Sequence, residues 1–356
     1  MIPLSQRKQQ ILRALVEEYI HSATPVASET LVRKYELNFS SATVRHELAG
    51  LEEAHLIYQP HTSAGRVPTD LGYRFFVEHL MEESELSLSE QRLIRHQFYQ
   101  VQDQLDQWVR LTASVMARLL HSAAVMTSPR ADVGRLKHFE VLSVTDLSAH
   151  LVLVLLDGTV KQQRLLLENP IYQDELSASA ERLNKLFTGK SAKEVEALLG
   201  QYDFSAVEHL IGTTIVRILE QHSDPLGDVF YREGVVNILE QPEYSRMGPE
   251  EERSERVRKV LEVLEQNRFL PALASHLRES GGVQVIIGGE NDWDEMKDVS
   301  LVVARYGQEG RIGGLLGVVG PTRMQYGRAI AVVRYMAQVM NELLAEVYGF
   351  NEQGGD

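Results

Sequence analysis

The chain has 356 residues, 44% of them hydrophobic, and contains no cysteine. This length predicts two or three domains with ample core. The lack of cysteine excludes disulfides, thiolate metal sites and cysteine nucleophiles, and it is typical of a reducing compartment. The longest purely aliphatic run, Leu151–Leu156, is too short to span a bilayer, and residues 2–13 lack the apolar segment of a signal peptide. We therefore expect a soluble cytoplasmic protein with no membrane partner.

The formal net charge of −14 is unevenly distributed along the chain. Residues 1–80 carry eight Lys and Arg against nine Asp and Glu, whereas the remaining 276 residues carry 28 against 41. The larger part of the chain therefore repels phosphate, while the N-terminal part is nearly neutral. If that part binds nucleic acid, a few well-placed cations must supply the affinity.

The first 35 residues predict two helices. Apolar residues recur at helical spacing from Ile11 to Tyr19, which predicts a first helix over Ser5–His21. Thr24-Pro25 ends that segment, since the residue before proline is pushed out of the α region. Ser28 is the expected N-cap of the second helix.

A third helix is predicted from an N-cap at Ser40 to Glu53. At 100° per residue its apolar residues share one face and are expected to be buried. These are Val44, Leu48 and Leu51. The opposite face carries small and hydrogen-bonding residues, which suits a helix that lies against base edges. An ordinary solvated helix face is the alternative.

A β-hairpin is predicted next. Ile57–His61 forms its first strand, Ser63-Ala64-Gly65 its turn with Gly65 at positive φ, and Arg66–Pro68 its return. An arginine beside a glycine turn can contact phosphate or enter a minor groove, although Arg66 can also be a plain surface cation. Thr69 then caps a last helix that reaches Leu80.

Two helices joined by a tight turn and followed by a hairpin are the parts of a winged helix-turn-helix DNA-binding domain. The N-terminal turns of its recognition helix would read bases. The expected base-reading residues are Ser41, Thr43, Arg45 and His46. The expected contacts to the DNA backbone come from Arg33, Lys34 and Arg66, together with Ser63 and Gly65 in the wing turn.

Several of these segments carry a family resemblance. They are Ser41-Ala-Thr-Val-Arg45, Leu51-Glu-Glu53, Thr62-Ser-Ala-Gly-Arg-Val-Pro-Thr69 and Gly72-Tyr-Arg-Phe-Phe-Val77, with Asn237–Tyr244 and the glycine-rich C-terminal block further on. The chain resembles, over essentially its whole length, the HrcA family of bacterial heat-inducible transcription repressors. The wing segment is the most specific part of this resemblance.

The resemblance implies a homodimeric repressor that binds an inverted-repeat operator, the CIRCE element, upstream of chaperone operons. It also implies a winged-helix domain and a GAF-like domain with a dimerisation domain inserted in it. Heat would relieve repression because the repressor loses its active fold, and the GroE chaperonin would be the partner that restores it.

The region after the hairpin predicts a long helix. Ser87 and Glu90 form a capping box at its start, and apolar residues at alternating four- and three-residue spacing follow through 89–121. Such a seam packs either on a second subunit or on a helix of the same chain. In both cases we expect one rigid helix that links the body of the protein to its DNA-binding part.

Strands and helices then alternate in blocks. Strands are predicted at Phe139–Thr145 and Leu151–Leu156 with a turn at Asp157-Gly158, and helices at 175–187, 192–199 and 205–221. A helix starts after Pro249, strands follow at 283–287, 301–304 and 315–319, and a long helix covers 326–348.

We therefore expect an α+β multidomain protein. The predicted winged helix-turn-helix is 1–85, the linking helix and first part of the GAF-like domain 86–165, the inserted dimerisation domain 166–225, the remaining GAF-like part 226–350, and a flexible tail 351–356.

Catalytic and metal-binding motifs are missing. The twelve histidines do not pair with carboxylates at metal-ligand spacing. Gly288-Gly289-Glu290 lacks the spacing of a phosphate-binding loop, and a turn explains this run of residues better. Asp292, Asp294 and Glu295 are expected in a solvated acidic loop.

We expect no enzyme and no cofactor. A ligand-sensing regulator whose GAF-like domain binds a small molecule stays the alternative, and an enzyme with a DNA-binding appendage is disfavoured.

Overall fold

A computed structural model describes residues 4–62, 64–82, 84–101, 104–131, 133–222, 230–246, 249–266, 282–291, 296–308 and 312–348. The described helices are α1 Gln6–Ser22, α2 Ser28–Lys34, α3 Ser41–Glu53, α4 Asp70–Phe75, α5 Leu88–Gln100, α6 Leu105–Leu120, α7 Gln173–Phe187, α8 Ala192–Gln201, α9 Ala206–His222, α10 Val235–Leu239, α11 Pro242–Ser245, α12 Glu250–Gln266 and α13 Tyr326–Tyr348. The described strands are β1 Ile57–Tyr58, β2 Val67–Pro68, β3 Ala123–Thr127, β4 Arg130–Ala131, β5 Leu136–Thr145, β6 Ser148–Leu155, β7 Val160–Leu166, β8 Phe230–Glu233, β9 Val283–Ile286, β10 Val299–Gln308 and β11 Ile312–Pro321. This is an α+β fold, as expected from the sequence.

Residues 4–80, called the N-terminal module below, fold in the order predicted: three helices, a short hairpin and a last helical segment. The Ser5 and Ser40 side chains accept hydrogen bonds from the backbone N–H of Lys8 and Thr43, which confirms the N-caps of α1 and α3. The predicted apolar faces form the core of the module. Its fully buried residues include Ile11, Leu12, Leu15, Val16, Leu31, Val44, Leu51 and Ile57.

The predicted N-cap of α2 is wrong by one residue. Ala27 is the N-cap and makes no side-chain capping bond, while Ser28 is the first residue of α2 and is buried. The Ser28 hydroxyl lies 3.2 Å from the Ser41 hydroxyl and thus bonds to α3 instead of to its own helix.

Gly65 also differs from expectation, because its φ is not in the left-handed region. Its conformation is ordinary but its surroundings are not, since a Cβ at this position would overlap the Val26 and Pro25 backbone. Val26 and Arg66 exchange two backbone hydrogen bonds of 2.8 and 2.9 Å. Glycine is therefore required by the close approach of two chain segments, and the paired strands β1 and β2 are only two residues long.

The predicted single helix over 89–121 is wrong. The capping box of Ser87 and Glu90 is present, but α5 ends at Gln100 and Val101 is extended. Arg118 in α6 donates to Gln97 in α5 at 3.1 Å. In one straight helix these residues would be about 30 Å apart, so α5 and α6 fold back on each other. The apolar seam packs within this chain: Ile94 and Phe98 in α5 and Trp108, Thr112 and Val115 in α6 are buried.

The chain divides into two compact units. The first contains Met1–Met126, Tyr231–Arg305 and Leu315–Asp356, and the second Thr127–Phe230 with Tyr306–Gly314. The first has strands in the order β8-β3-β11-β10-β9. Helix α13 packs on α6 and β9.

The second unit is built on an antiparallel sheet in the order β5-β6-β7. The predicted Asp157-Gly158 turn joins β6 to β7, with Gly158 at φ +86° and the Asp157 carboxylate accepting from Thr159 N–H. Inward residues of the sheet share one core with α7, α8 and α9, including Phe139, Leu153, Leu183 and Ile215. The expected boundary between 165 and 166 falls inside this core.

Within the described part of the chain, no helix is long and apolar enough to cross a membrane. The same residues include no group of three or more His, Asp or Glu side chains placed to hold a metal ion. The predicted acidic loop at Asp292, Asp294 and Glu295 and the tail 351–356 lie outside the described residues.

Candidate nucleic-acid interface

Helix α3 has one buried and one exposed face. Val44, Leu48 and Leu51 are buried, whereas Ala42, Arg45, His46 and Ala49 are exposed at the spacing of a single helical stripe. The small side chains of Ala42 and Ala49 lie on either side of the two larger ones. His46 has no polar partner among the described side chains.

The N-terminal turn of α3 carries a polar network. Thr43 lies 2.9 Å from the capping Ser40 hydroxyl. Ser41 donates to the Glu29 carboxylate at 3.1 Å, and Arg45 Nη2 donates to the same carboxylate oxygen at 3.1 Å. Three of the predicted reading residues therefore already have partners within the module.

The two predicted backbone cations on α2 differ in their surroundings. Arg33 is exposed and has no ion-pair partner among the described side chains. Lys34 forms a 2.7 Å ion pair with Glu18 of α1, whose carboxylate is nearly buried. Only Arg33 presents an uncompensated charge to an approaching phosphate.

The hairpin holds Arg66 more firmly than the sequence indicates. Its guanidinium is only 21% exposed and forms a 2.9 Å ion pair with Glu52 near the end of α3. Its Nε is buried and has no hydrogen-bond partner. In the same hairpin, the side-chain amide of Gln59 donates hydrogen bonds to the Thr62 and Ala64 carbonyls. Ser63 lies outside the described residues.

The module packs on the rest of the first unit through α4. The Asp70 carboxylate accepts from Gly289 N–H at 2.8 Å. Arg74 donates to both carboxylate oxygens of Glu290 and, at 2.7 Å, to the Val285 carbonyl. These bonds to Glu290 raise the pKa of Arg74 and so favour its charged form. The glycine run at 288–289, predicted as a turn, thus serves as the docking point for α4.

Arg323 makes a second connection from the other side. It donates to the Ile20 carbonyl at the end of α1 and, at 2.6 Å, to Glu243. The Arg323 side chain is 11% exposed and that of Glu243 is 17% exposed. A cation this deeply buried and bonded to three acceptors, Gln241 being the third, has a structural role.

A cavity of about 530 Å³ lies beside these contacts. It is lined from the module by Tyr58, Asp70 and Tyr73 and from the rest of the first unit by Tyr244 and Arg323. The hydroxyl groups of Tyr73 and Tyr244 are buried without a hydrogen-bond partner.

Two features of the interface escaped prediction. Glu29 carries no local pattern that separates it from other exposed acids, because its partners are 12 and 16 residues away. The ammonium of Lys8 lies over Gly50, so that a Cβ there would come within 2.5 Å of it. The only sequence signal for this second contact is a glycine inside an otherwise regular helix.

The family-model match and the similarity to relatives point to the same family. Residues 106–330 match the family model described as the HrcA protein C terminal domain. The chain is 48% identical to the heat-inducible transcription repressor HrcA of Roseiflexus castenholzii, covering 97% of this chain and 96% of that protein. It is 45% identical to the protein of the same name from Chloroflexus aurantiacus, covering 99% and 97%.

A crystal structure of a hypothetical protein, solved at 2.2 Å, has the same fold with a TM-score of 0.61. It is 22% identical and covers 97% of this chain and 99% of that one. The family match extends over more than half of the chain, and the similarity to curated relatives over nearly all of it. This chain belongs to the HrcA family.

Proposed function

We propose that this protein is a homodimeric transcription repressor of heat-shock operons that binds an inverted-repeat operator of the CIRCE type. The observation that supports it most directly is the exposed stripe of α3, with Arg45 and His46 between two alanines, on a helix flanked by α2 and a hairpin. The names of the relatives support the same role.

In this proposal the N-terminal module is a winged helix-turn-helix with α3 in the major groove. Ser41, Thr43, Arg45 and His46 read bases, and Arg33, Lys34 and Arg66 contact phosphates with Ser63 and Gly65 at the wing. Arg66 must share its charge between Glu52 and the DNA, because the pair with Glu52 exists in the free protein. The near-neutral module and acidic remainder would limit binding to unrelated DNA.

The second unit is the proposed dimerisation domain, with the GAF-like domain formed by the rest of the chain after the module. Its sheet presents exposed aliphatic side chains that alternate with the buried ones and so lie opposite the helices. These are Leu142, Val144, Val160 and Leu166, each more than half exposed. Leu142, Val144 and Leu166 lie toward one end of this face, and exposed aliphatic side chains close together favour a protein partner, here a second copy. A two-fold axis would set two reading helices on an inverted repeat.

Relief of repression by heat would follow from loss of the active fold, with the GroE chaperonin as the partner that restores it. The partly buried ionic contacts of Arg323 and Arg74 support this step, because they join the module to the rest of the first unit. Once heat opens these contacts, water solvates the charged side chains. Reassembly then requires several ionic contacts to form together.

Fluorescence anisotropy tests the proposal. The purified protein is titrated with a labelled CIRCE-type inverted repeat and with a scrambled duplex of equal length at about 0.15 M salt, where phosphate contacts alone give weak binding. Selective binding by a dimer, lost after mild heating and restored by the chaperonin, is expected. Equal binding to both duplexes with chaperonin present would contradict the proposal.

A matched pair of variants then tests whether His46 reads bases. His46→Ala should change the preference among half-site variants, since His46 faces outward without an internal partner. Glu53→Ala, at the far end of the same helix, should leave that preference unchanged. An equal loss on every sequence would refute a reading role for His46.

Ligand sensing is the second candidate, favoured by the cavity of about 530 Å³. A small molecule bound there would touch the module directly and so change how it is held. Native mass spectrometry of protein purified without denaturation tests this candidate. A reproducible small adduct that is lost in a Tyr244→Ala variant would support it, and the bare mass in all preparations would count against it.

A further inference from the structure

The carboxylate of Glu29 lies at the start of the reading helix. Its Oε1 accepts a hydrogen bond from the Ser41 hydroxyl and one from Arg45 Nη2, each at 3.1 Å. The Ser41 hydroxyl in turn lies 3.2 Å from Ser28 and 3.4 Å from Arg45 Nη2. One acidic side chain of α2 thus connects two of the residues proposed to read bases.

This network engages only one nitrogen of the Arg45 guanidinium, Nη2. Glu29 and Ser41 both contact Nη2, while Nε and Nη1 have no partner among the described residues. The guanidinium is planar and has five donors in a fixed fork. Holding Nη2 therefore orients the planar group, and Nη1, which has no partner among the described residues, can donate a hydrogen bond to guanine O6 or N7.

Stability does not explain the pair. Arg45 and Glu29 are 67% and 66% exposed, and ion pairs in such positions stabilise a fold very little. Its own backbone N–H and the Ser41 hydroxyl lower the pKa of the Glu29 carboxyl and so favour its charged form. A negative charge beside a surface that must approach phosphates disfavours DNA binding, and the small gain in stability does not explain why it is there.

We propose that Glu29 is a positioning residue that determines specificity, orienting Arg45 toward a guanine and keeping its charge from unrelated phosphates. This inference rests on the proposed function. On the operator, Arg45 contacts the base while its bond to Glu29 stays intact. On other DNA, the Glu29 carboxylate already offsets the charge of Arg45, so a phosphate gains little from the guanidinium, and the carboxylate repels the strand.

The test compares Glu29→Gln with the wild-type protein on the repeat, on its single-base variants and on the scrambled duplex, over a range of salt. The glutamine keeps an acceptor of similar size but removes the charge. We expect a loss of about tenfold in discrimination at one guanine of each half-site. We also expect a steeper salt dependence on scrambled DNA by about 0.9, equivalent to one added phosphate contact.

Two controls separate this effect from others. Glu53→Gln removes an exposed carboxylate from the same module without touching Arg45, so it reports the general effect of one charge. In an Arg45→Ala background, Glu29→Gln should change neither the base preference nor the salt slope, because the residue through which it acts is gone.

The outcomes are distinct. If wild-type protein prefers the repeat but Glu29→Gln behaves like Glu53→Gln, the inference is wrong and the proposed function stands. A change by Glu29→Gln that persists without Arg45 also overturns it. If the wild-type protein itself shows no preference for the repeat, the proposed function fails first, and the inference fails with it.

Discussion

Arg45 and Arg74 belong to the same N-terminal module, but their guanidinium groups have very different surroundings. Arg45 is 67% exposed and shares one oxygen of an equally exposed carboxylate. Arg74 is 25% exposed and bonds to both oxygens of Glu290 and to a backbone carbonyl. The first arrangement leaves donors for a ligand, whereas the second uses them inside the protein. The number and the burial of the acceptors, and not the charge itself, therefore separate Arg45, which is proposed to read bases, from Arg74, which joins the module to the rest of the first unit.

This comparison predicts that variants of docking residues lose stability, while variants of reading residues lose DNA binding. Arg323→Ala should have the largest effect, a decrease of about 3 kcal/mol in the free energy of unfolding. It would leave the Glu243 carboxylate and the Ile20 carbonyl without their buried donor. Urea denaturation of the full chain measures the decrease. Lys185→Ala, which removes an exposed pair with Glu181, is the control and should cost less than 1 kcal/mol. Equal losses in the two variants would break the comparison.

The second unit also contains one buried and one exposed ion pair, each between a histidine and a carboxylate. Asp157 and His222 are 2.6 Å apart and almost fully buried, whereas His138 and Glu140 are 2.8 Å apart and more than half exposed. Asp157→Asn should lower stability by about 2 kcal/mol at neutral pH. Glu140→Gln should change it by less than 0.5 kcal/mol.

The effect of Asp157→Asn should also depend on pH. Burial raises the pKa of Asp157, but the hydrogen bonds from His222 and from Thr159 N–H outweigh it and hold this pKa well below its usual range. A carboxyl whose pKa is lower in the folded state stabilises the protein above its unfolded pKa of about 3.9. That contribution is lost as the pH falls further. The difference between wild type and Asp157→Asn should therefore begin to shrink below about pH 5 and keep shrinking as the pH falls toward the lowered pKa of the folded state. A constant difference would contradict the lowered pKa.

Local features were predictable because their causes are local. The Ser40 N-cap, the capping box of Ser87 and Glu90 and the Asp157-Gly158 turn each depend on residues within three positions. The break between α5 and α6 was not predictable, because the seam has helical spacing on both sides of it. What sets the break is packing of two short helices within the chain, which periodicity does not report.

The candidate interface divides in the same way. Helical spacing placed Arg45 and His46 on the exposed face of α3, but it gave no sign of Glu29 beside them. The hydrogen-bond acceptors of Arg74 are 211 and 216 residues away, and its local ion pair with Glu78, four residues along, gives no sign of them. The spacing of residues in the sequence predicts which face of a helix is exposed. It does not predict which charged side chains pair across the fold, and only the structure shows those pairs.

Arg66 combines features of the two kinds of arginine: its side chain is about as buried as that of Arg74, at 21% exposed, but it has a single ion pair, as Arg45 does. Arg66→Ala should therefore have both effects at a reduced size. We expect a loss of about 1 kcal/mol in stability, since Glu52 loses its partner. We also expect weaker binding to all sequences alike, with a salt slope flatter by about one unit. An unchanged slope would show that Arg66 only supports the hairpin.

Arg33→Ala should have the smallest effect on stability, within about 0.5 kcal/mol, because Arg33 is exposed and has no ion-pair partner among the described side chains. Its uncompensated charge should nevertheless reach phosphate, so affinity should fall severalfold on repeat and scrambled DNA alike, with a slope flatter by about 0.9. Lys34→Ala is the matched control. Glu18 already neutralises part of the Lys34 charge at 2.7 Å, and its removal should flatten the slope less. If Lys34→Ala instead has the larger effect on the slope, an internal partner does not reduce the contribution of a cation to phosphate binding, and the distinction drawn between Arg45 and Arg74 loses its electrostatic basis.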